Sequence, residues 1–213
     1  MSQATVSGAV RTAGTGTGTG ASTGGDSVAL PLARIAARPL ATQRSDRVRE
    51  IIAAGLALLA AEGADALTMR RLGDEIGIRA ASLYKHLPGK PALEAALVEI
   101  GLFEVGDALH AVVDAASASD VVGVLLAEYR RMTLTRANLY RLATSGRIDR
   151  SLLTPGLDGW SGEPFYRATG DPWVAQALFA AAHGAVILEM DGGFSDMSDL
   201  DATWQALARA FTT

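Results

Sequence analysis

The sequence predicts an all-α protein, on three observations. Alanine and leucine dominate while β-branched residues are less frequent, a mix that favours helix over sheet. Apolar residues recur at helical spacing from Val48 onward, and no alternating apolar–polar run of useful length appears. Glycine and proline punctuate the chain so that short helices come first and longer ones follow.

Residues 1–43 read as a tail. The run Gly14-Thr15-Gly16-Thr17-Gly18-Thr19-Gly20 cannot bury enough apolar surface to offset its ordering entropy, so disorder is expected. Its glycines do not make a phosphate loop, because neither Gly-Lys-Ser/Thr nor a flanking strand accompanies them. The stretch 28–40, with Arg34 and Arg38, reads as a linker or a short arm.

Order is expected from Ser45. Val48, Ile51, Ile52, Gly55, Leu58 and Leu59 share one helical face, Ser45 or Asp46 can cap its start, and Gly63 stops it. Thr68 caps a second, shorter helix whose Met69, Leu72 and Ile76 face inward, and Gly77 ends it. The turn Gly77-Ile78-Arg79 leads to a third helix over about 80–87, which Pro88 and Gly89 break. A fourth begins near Lys90 and runs past Leu102. Further helices are expected at about 105–116, 120–135, 137–145, 172–191 and 199–211. The Gly/Pro-rich stretch 146–171, with Trp160, Phe165 and Tyr166, reads as a loop holding one short helix.

Composition narrows the function. There is no cysteine, which excludes disulfides, thiolate metal sites and a cysteine nucleophile. No signal peptide is recognisable, and no stretch reaches the roughly 18 unbroken apolar residues of a membrane helix, so a cytoplasmic protein without membrane contact is expected. The net charge of −4 is unevenly spread. Residues 44–95 carry eight Lys/Arg against seven Asp/Glu, whereas residues 96–213 carry eight against fifteen. Only the first half can face a phosphate backbone, and it must do so by local placement of its cations.

Two short helices joined by a glycine-containing turn and propped by a longer first helix make a helix-turn-helix, whose second short helix enters the major groove. The expected architecture is therefore a three-helix DNA-binding head at 44–90 and a helical-bundle ligand-binding and dimerisation domain at 91–213. Leu67-Thr68-Met69-Arg70-Arg71-Leu72-Gly73-Asp74-Glu75-Ile76-Gly77-Ile78, followed by Ala81-Ser82-Leu83-Tyr84-Lys85-His86-Leu87-Pro88-Gly89-Lys90-Pro91-Ala92-Leu93, closely resembles the head of the tetracycline-repressor family. That resemblance implies a transcriptional regulator, most often a repressor released from a palindromic operator by a small hydrophobic ligand.

Under this reading Thr68 offers its hydroxyl and nearby amides to a phosphate. Arg79, Ala80, Ala81 and Ser82 open the recognition helix, where Arg79 is placed to read a guanine. Tyr84, Lys85 and His86 lie further along for phosphate and thymine-methyl contact, and Lys90 resembles the family's phosphate-binding lysine. Tyr84 can equally pack between helices, and Arg70 and Arg71 can simply solvate their helix. Arg79 and Gly89 depart from the family, standing where capping residues are frequent.

The body resembles the family more loosely. Ala182-His183-Gly184-Ala185-Val186 looks like the long helix of a subgroup named for Trp, His and Gly, with Phe179 where the Trp is expected. Its small apolar face, together with the last helix, is expected to build a four-helix homodimer interface over 172–191 and 199–211, since one head reads only half an operator. Phe103, Leu125, Tyr129, Met132, Trp160, Phe165, Trp173, Phe179 and His183 are the expected lining of an apolar ligand pocket. No metal site, cofactor or catalytic constellation is expected. The competing reading is a helical small-molecule carrier or enzyme that does not bind DNA.

Overall fold

The computed structural model describes residues 37–212, and its regular elements are helical throughout. They are α1 (Asp46–Glu62), α2 (Met69–Glu75), α3 (Ala80–Leu83), α4 (Lys90–Ala115), α5 (Val121–Thr135), α6 (Ala137–Thr144), α7 (Leu157–Thr169), α8 (Pro172–Met190) and α9 (Leu200–Phe211). A single 3-10 turn, Arg150–Leu152, precedes α7. The all-α expectation holds. The reading of residues 1–36 as tail lies outside the described residues.

Local chemistry explains several boundaries. Ser45 Oγ accepts from the Val48 amide at the start of α1, and Asp171 Oδ1 accepts from the Trp173 and Val174 amides at the start of α8. Asp199 caps α9 through the Ala202 amide. Pro91 and Pro172 sit in the first turns of α4 and α8, where a missing N–H costs nothing.

Three expectations need correction. The helices expected at 90–102 and 105–116 are one continuous helix, α4, of 26 residues. Gly101 and Gly106 weaken the helical pattern there, yet both are packing notches. A Cβ on Gly101 would stand 2.9 Å from a Leu139 methyl of α6, and one on Gly106 would fall inside the indole of Trp160. The stretch 146–171 is mostly α7, 13 residues long, with Pro164 buried inside it. Proline has no N–H for the carbonyl four residues back, that of Trp160. His110 Nε2 lies 3.0 Å from that carbonyl oxygen and donates to it instead, while Arg167 donates to His110 Nδ1. Lastly, residues 37–43, read as tail, lie against the body: Arg38 pairs with Asp107 of α4 through two hydrogen bonds, and the Thr42 and Thr154 hydroxyls meet.

Two large apolar cores and a smaller cluster at Phe103 are strung along α4. The first joins Ile51, Leu59, Leu67, Leu72, Leu83 and Leu87 to Leu93, Leu97 and Val98, and also takes in Leu139 and Leu142 of α6. The second joins Leu109 and Val113 to Leu125, Tyr129, Phe165, Leu178, Ala182 and Trp204. The expected boundary at residue 90 therefore marks no break in packing, because the first half of α4 and Leu139 and Leu142 of α6 complete the core of the head. Asn138 strengthens that join by donating from Nδ2 to the carbonyls of Leu59 and Ala60 at the end of α1. Arg44, just before α1, faces the buried Glu99 carboxylate of α4 at 3.1 Å.

By length and composition α8 could cross a bilayer. Its inner face, however, carries Ala175, Leu178, Ala182 and Val186 into the second core. At its far end Glu189 takes hydrogen bonds from Arg130 and from the Trp204 indole.

Candidate nucleic-acid interface and aromatic cluster

The helix-turn-helix is set by its crossing point. Thr68 Oγ1 caps α2 by accepting from the Arg71 amide at 3.1 Å, and the Ile78 amide bonds back to the Gly73 carbonyl at 2.9 Å. Gly73 is buried, and a Cβ there would stand 2.7 Å from the Ile78 carbonyl oxygen. The turn closes only around a residue without a side chain. Sequence reasoning passed over Gly73, since a glycine inside an amphipathic helix carries no signal of what crosses it.

The recognition helix is shorter than its expected range, with Ala80–Leu83 helical and turns continuing to Leu87. Leu83 and Leu87 anchor it in the core. Arg79 makes no side-chain cap, as its side chain predicts, and it points to solvent. Ala81 is exposed, while Ala80 and Ser82 are half-buried. Tyr84 is 56% exposed and is not packed between helices. Lys85 and His86 are exposed beside it. Gly89 begins α4 at φ +123°, a conformation closed to the Asp, Asn or Ser that would otherwise cap it.

The cations sort themselves by pairing. Arg71 donates to Glu62 and to Glu75, which ties α2 to α1 and pushes its pKa up. Lys90 lies 3.5 Å from Glu94 and 3.4 Å from the Ala64 carbonyl, so it is engaged within the chain. Among the described residues the arginines and lysines without an ion pair are Arg70, Arg79, Lys85, Arg147 and Arg209. The first three lie on the helix-turn-helix. Unpaired, exposed cations held on a rigid frame are what a polyanion requires.

The residues expected to line a pocket divide. Tyr129, Phe165, Phe179 and His183 converge: the Phe165 ring meets Tyr129 edge-on at 5.4 Å and Phe179 at 5.5 Å, and Phe179 stacks on His183 at 6.1 Å. Leu125 shares their core. Sequence reasoning missed Tyr140 of α6, whose hydroxyl joins that of Tyr129 and lies 2.5 Å from His183 Nδ1. Burial holds the Tyr129 hydroxyl well above the ordinary phenol range and pushes Tyr140 up to about 12. Both phenols thus stay protonated, and a run of donors from Tyr129 through Tyr140 to His183 satisfies each in turn.

Phe103 and Trp160 form a separate cluster with Leu157. Met132 is half-buried on α5, and Trp173, 64% exposed, faces solvent on α8. A groove of about 470 Å³ lies elsewhere, between α5 and α9, lined by Leu126, Arg130, Leu134 and Trp204 among others.

Residues 51–97 match the family model for bacterial regulatory proteins of the tetR family. Over 183 residues the chain is 28% identical to an uncharacterized HTH-type transcriptional regulator of Mycobacterium tuberculosis, covering 79% of each. A solved protein of unknown function from Rhodococcus sp. RHA1 has the same fold, with a TM-score of 0.65 and 22% identity over 80% of this chain and 98% of that one. The fold is also that of BioQ, solved with its natural double-stranded DNA operator, at a TM-score of 0.51 and 18% identity over 78% of this chain and 98% of BioQ.

Proposed function

We infer that this chain, a DNA-binding transcriptional regulator with a head of the tetR family, acts as a cytoplasmic homodimeric repressor that a small apolar ligand releases from a palindromic operator. The observation that carries the DNA reading is the free cationic edge of the helix-turn-helix. Arg79 and Lys85, with the exposed Tyr84 between them, stand on a helix anchored by Leu83 and Leu87.

Roles follow from placement. Arg79 and Ala81 face base edges from the start of the recognition helix, with Ala80 and Ser82 behind them. Arg70, Tyr84, Lys85 and His86 reach phosphates, and the Thr68 hydroxyl, already accepting from an amide, keeps its proton for one more. Lys90 contacts phosphate only by leaving Glu94, a partially exposed partner in the same helix.

Dimerisation is assigned to α8 and α9. Trp173, Val174 and Leu188 are exposed on α8, an unusual apolar load for a surface helix. Gly184 on the same helix has open space above its Cα, which leaves room for a second helix at close range. The His183-Gly184 pair supports the subgroup named for Trp, His and Gly. The effector is placed at the Tyr129, Tyr140, Phe165, Phe179 and His183 cluster, where apolar rings surround a short polar run.

Selection from random duplexes tests the reading. A palindrome whose half-sites are separated by about 34–36 Å, or a multiple of it, is the expected product. Arg79→Ala should relax preference at one base pair per half-site, at a cost of about 1–3 kcal/mol. Selection that enriches no palindrome refutes the proposed mode of action.

A further inference from the structure

Upstream of α1, Arg38 reaches the middle of α4. Its Nε and Nη2 donate to Oδ1 and Oδ2 of Asp107 at 2.6 and 2.8 Å. The guanidinium carbon lies 4.6 Å from the ring centre of Phe103 and 5.5 Å from that of Trp160. Those two rings, 5.9 Å apart, are both nearly fully buried. One carboxylate and two aromatic rings therefore surround a planar cation.

The receptor side of this arrangement is firmly built. The Trp160 indole rests against Gly106, the Trp160 carbonyl is held by His110, and the His110 ring stacks on the indole at 4.9 Å. The occupant is lightly held. Arg38 and Asp107 are each about half exposed, and ion pairs in that setting contribute little. Between Arg38 and the buried Arg44–Glu99 contact, the arm is fastened by the single hydroxyl contact of Thr42 with Thr154.

We propose that Phe103, Trp160 and Asp107 form a binding site for a small molecule carrying an amidinium or guanidinium on an apolar body, and that Arg38 fills this site in cis. The carboxylate accepts two parallel N–H groups, which a planar amidinium or guanidinium presents and a quaternary ammonium does not. The two rings favour a flat cation over a neutral group of the same shape. Entry of the ligand displaces the arm ahead of Arg44. The site is distinct from the aromatic cluster around Tyr129, and it does not depend on the DNA reading.

Benzamidine is the probe, and benzamide is its neutral counterpart of the same shape. Calorimetric titration compares the full chain, Arg38→Ala, and Arg38→Ala combined with Asp107→Asn. Arg38→Ala should bind benzamidine about tenfold more tightly than the unaltered chain, the weight of one exposed ion pair and two cation–π contacts. Benzamide should bind none of the three, and Asp107→Asn should abolish benzamidine binding. The altered side chains are half exposed, so melting curves should remain near those of the unaltered chain. Equal benzamidine affinity with and without Arg38, or none in Arg38→Ala, overturns occupancy in cis. Binding that survives Asp107→Asn, or benzamide binding as well as benzamidine, overturns the cation site.

Discussion

The helix-turn-helix and the outer face of α8 both leave side chains without partners, but of opposite kinds. At the head these are cations: Arg70, Arg79 and Lys85 stand free while Arg71, their neighbour, is tied to Glu62 and Glu75. On α8 they are apolar: Trp173, Val174 and Leu188 are exposed on a helix whose opposite stripe, Ala175, Leu178, Ala182 and Val186, is buried. A free cation remains well solvated alone and asks only that a polyanion come near. Exposed apolar area gains only when it is covered, and so asks for shape. On the proposed reading, the head is built for a partner that comes and goes, and α8 for one that stays.

Two glycines give the sharpest way to break that comparison. Gly73 is walled in by the Ile78 carbonyl, whereas Gly184 meets nothing. Gly73→Val should cost about 2–4 kcal/mol in denaturant unfolding, since backbone must move to admit it, and should abolish operator binding. Gly184→Ala should instead raise the stability of the isolated chain by up to about 1 kcal/mol, through helix propensity alone. Gly184→Leu then tests what covers α8. It should leave the subunit folded and convert dimer to monomer in sedimentation. A full dimer in that variant would move the interface elsewhere.

Smaller effects separate free from paired cations. Lys85→Ala and Arg70→Ala should each flatten the dependence of log affinity on log salt by about one unit. Arg71→Ala should leave that slope alone and lower the melting temperature, because its partners are in the protein. The smallest expected effect is on alkaline stability. Burial raises the Tyr140 pKa from 10.0 to about 12, so the unfolded chain releases its proton first. The contribution is whole below pH 10 and is lost as pH rises through about 12. Tyr140→Phe should make the alkaline fall in melting temperature shallower.

Much of the head was legible because its determinants are local. Ser45 and Thr68 cap where their side chains predict, and a short third helix follows the Gly77-Ile78-Arg79 turn and ends before Pro88. The body was harder, because its determinants lie far apart in sequence. Gly106 looks like a break until Trp160 is seen against it, and Pro164 like a loop until His110 is seen holding the carbonyl it leaves open. The aromatic residues looked like one pocket by type. Which of them meet is decided by helix crossings: four converge with Tyr140, Phe103 and Trp160 pair elsewhere, and Trp173 joins neither group. Arg38 could not be matched to Asp107, 69 positions away, from either one's neighbours.

The unbroken course of α4 carries a mechanical corollary. A helix of this length is a rod of about 39 Å, at about 1.5 Å per residue. Tilting such a rod by about 3° about one end sweeps the other through about 2 Å, a whole hydrogen bond's tolerance. Leu139 and Trp160 bear on the rod near its midpoint, at the Gly101 and Gly106 notches. A change of one methyl group there acts as a shim under a lever. Substitutions around these notches should be scored in degrees of aim at the recognition helix, a quantity that stability measurements on the isolated protein do not register.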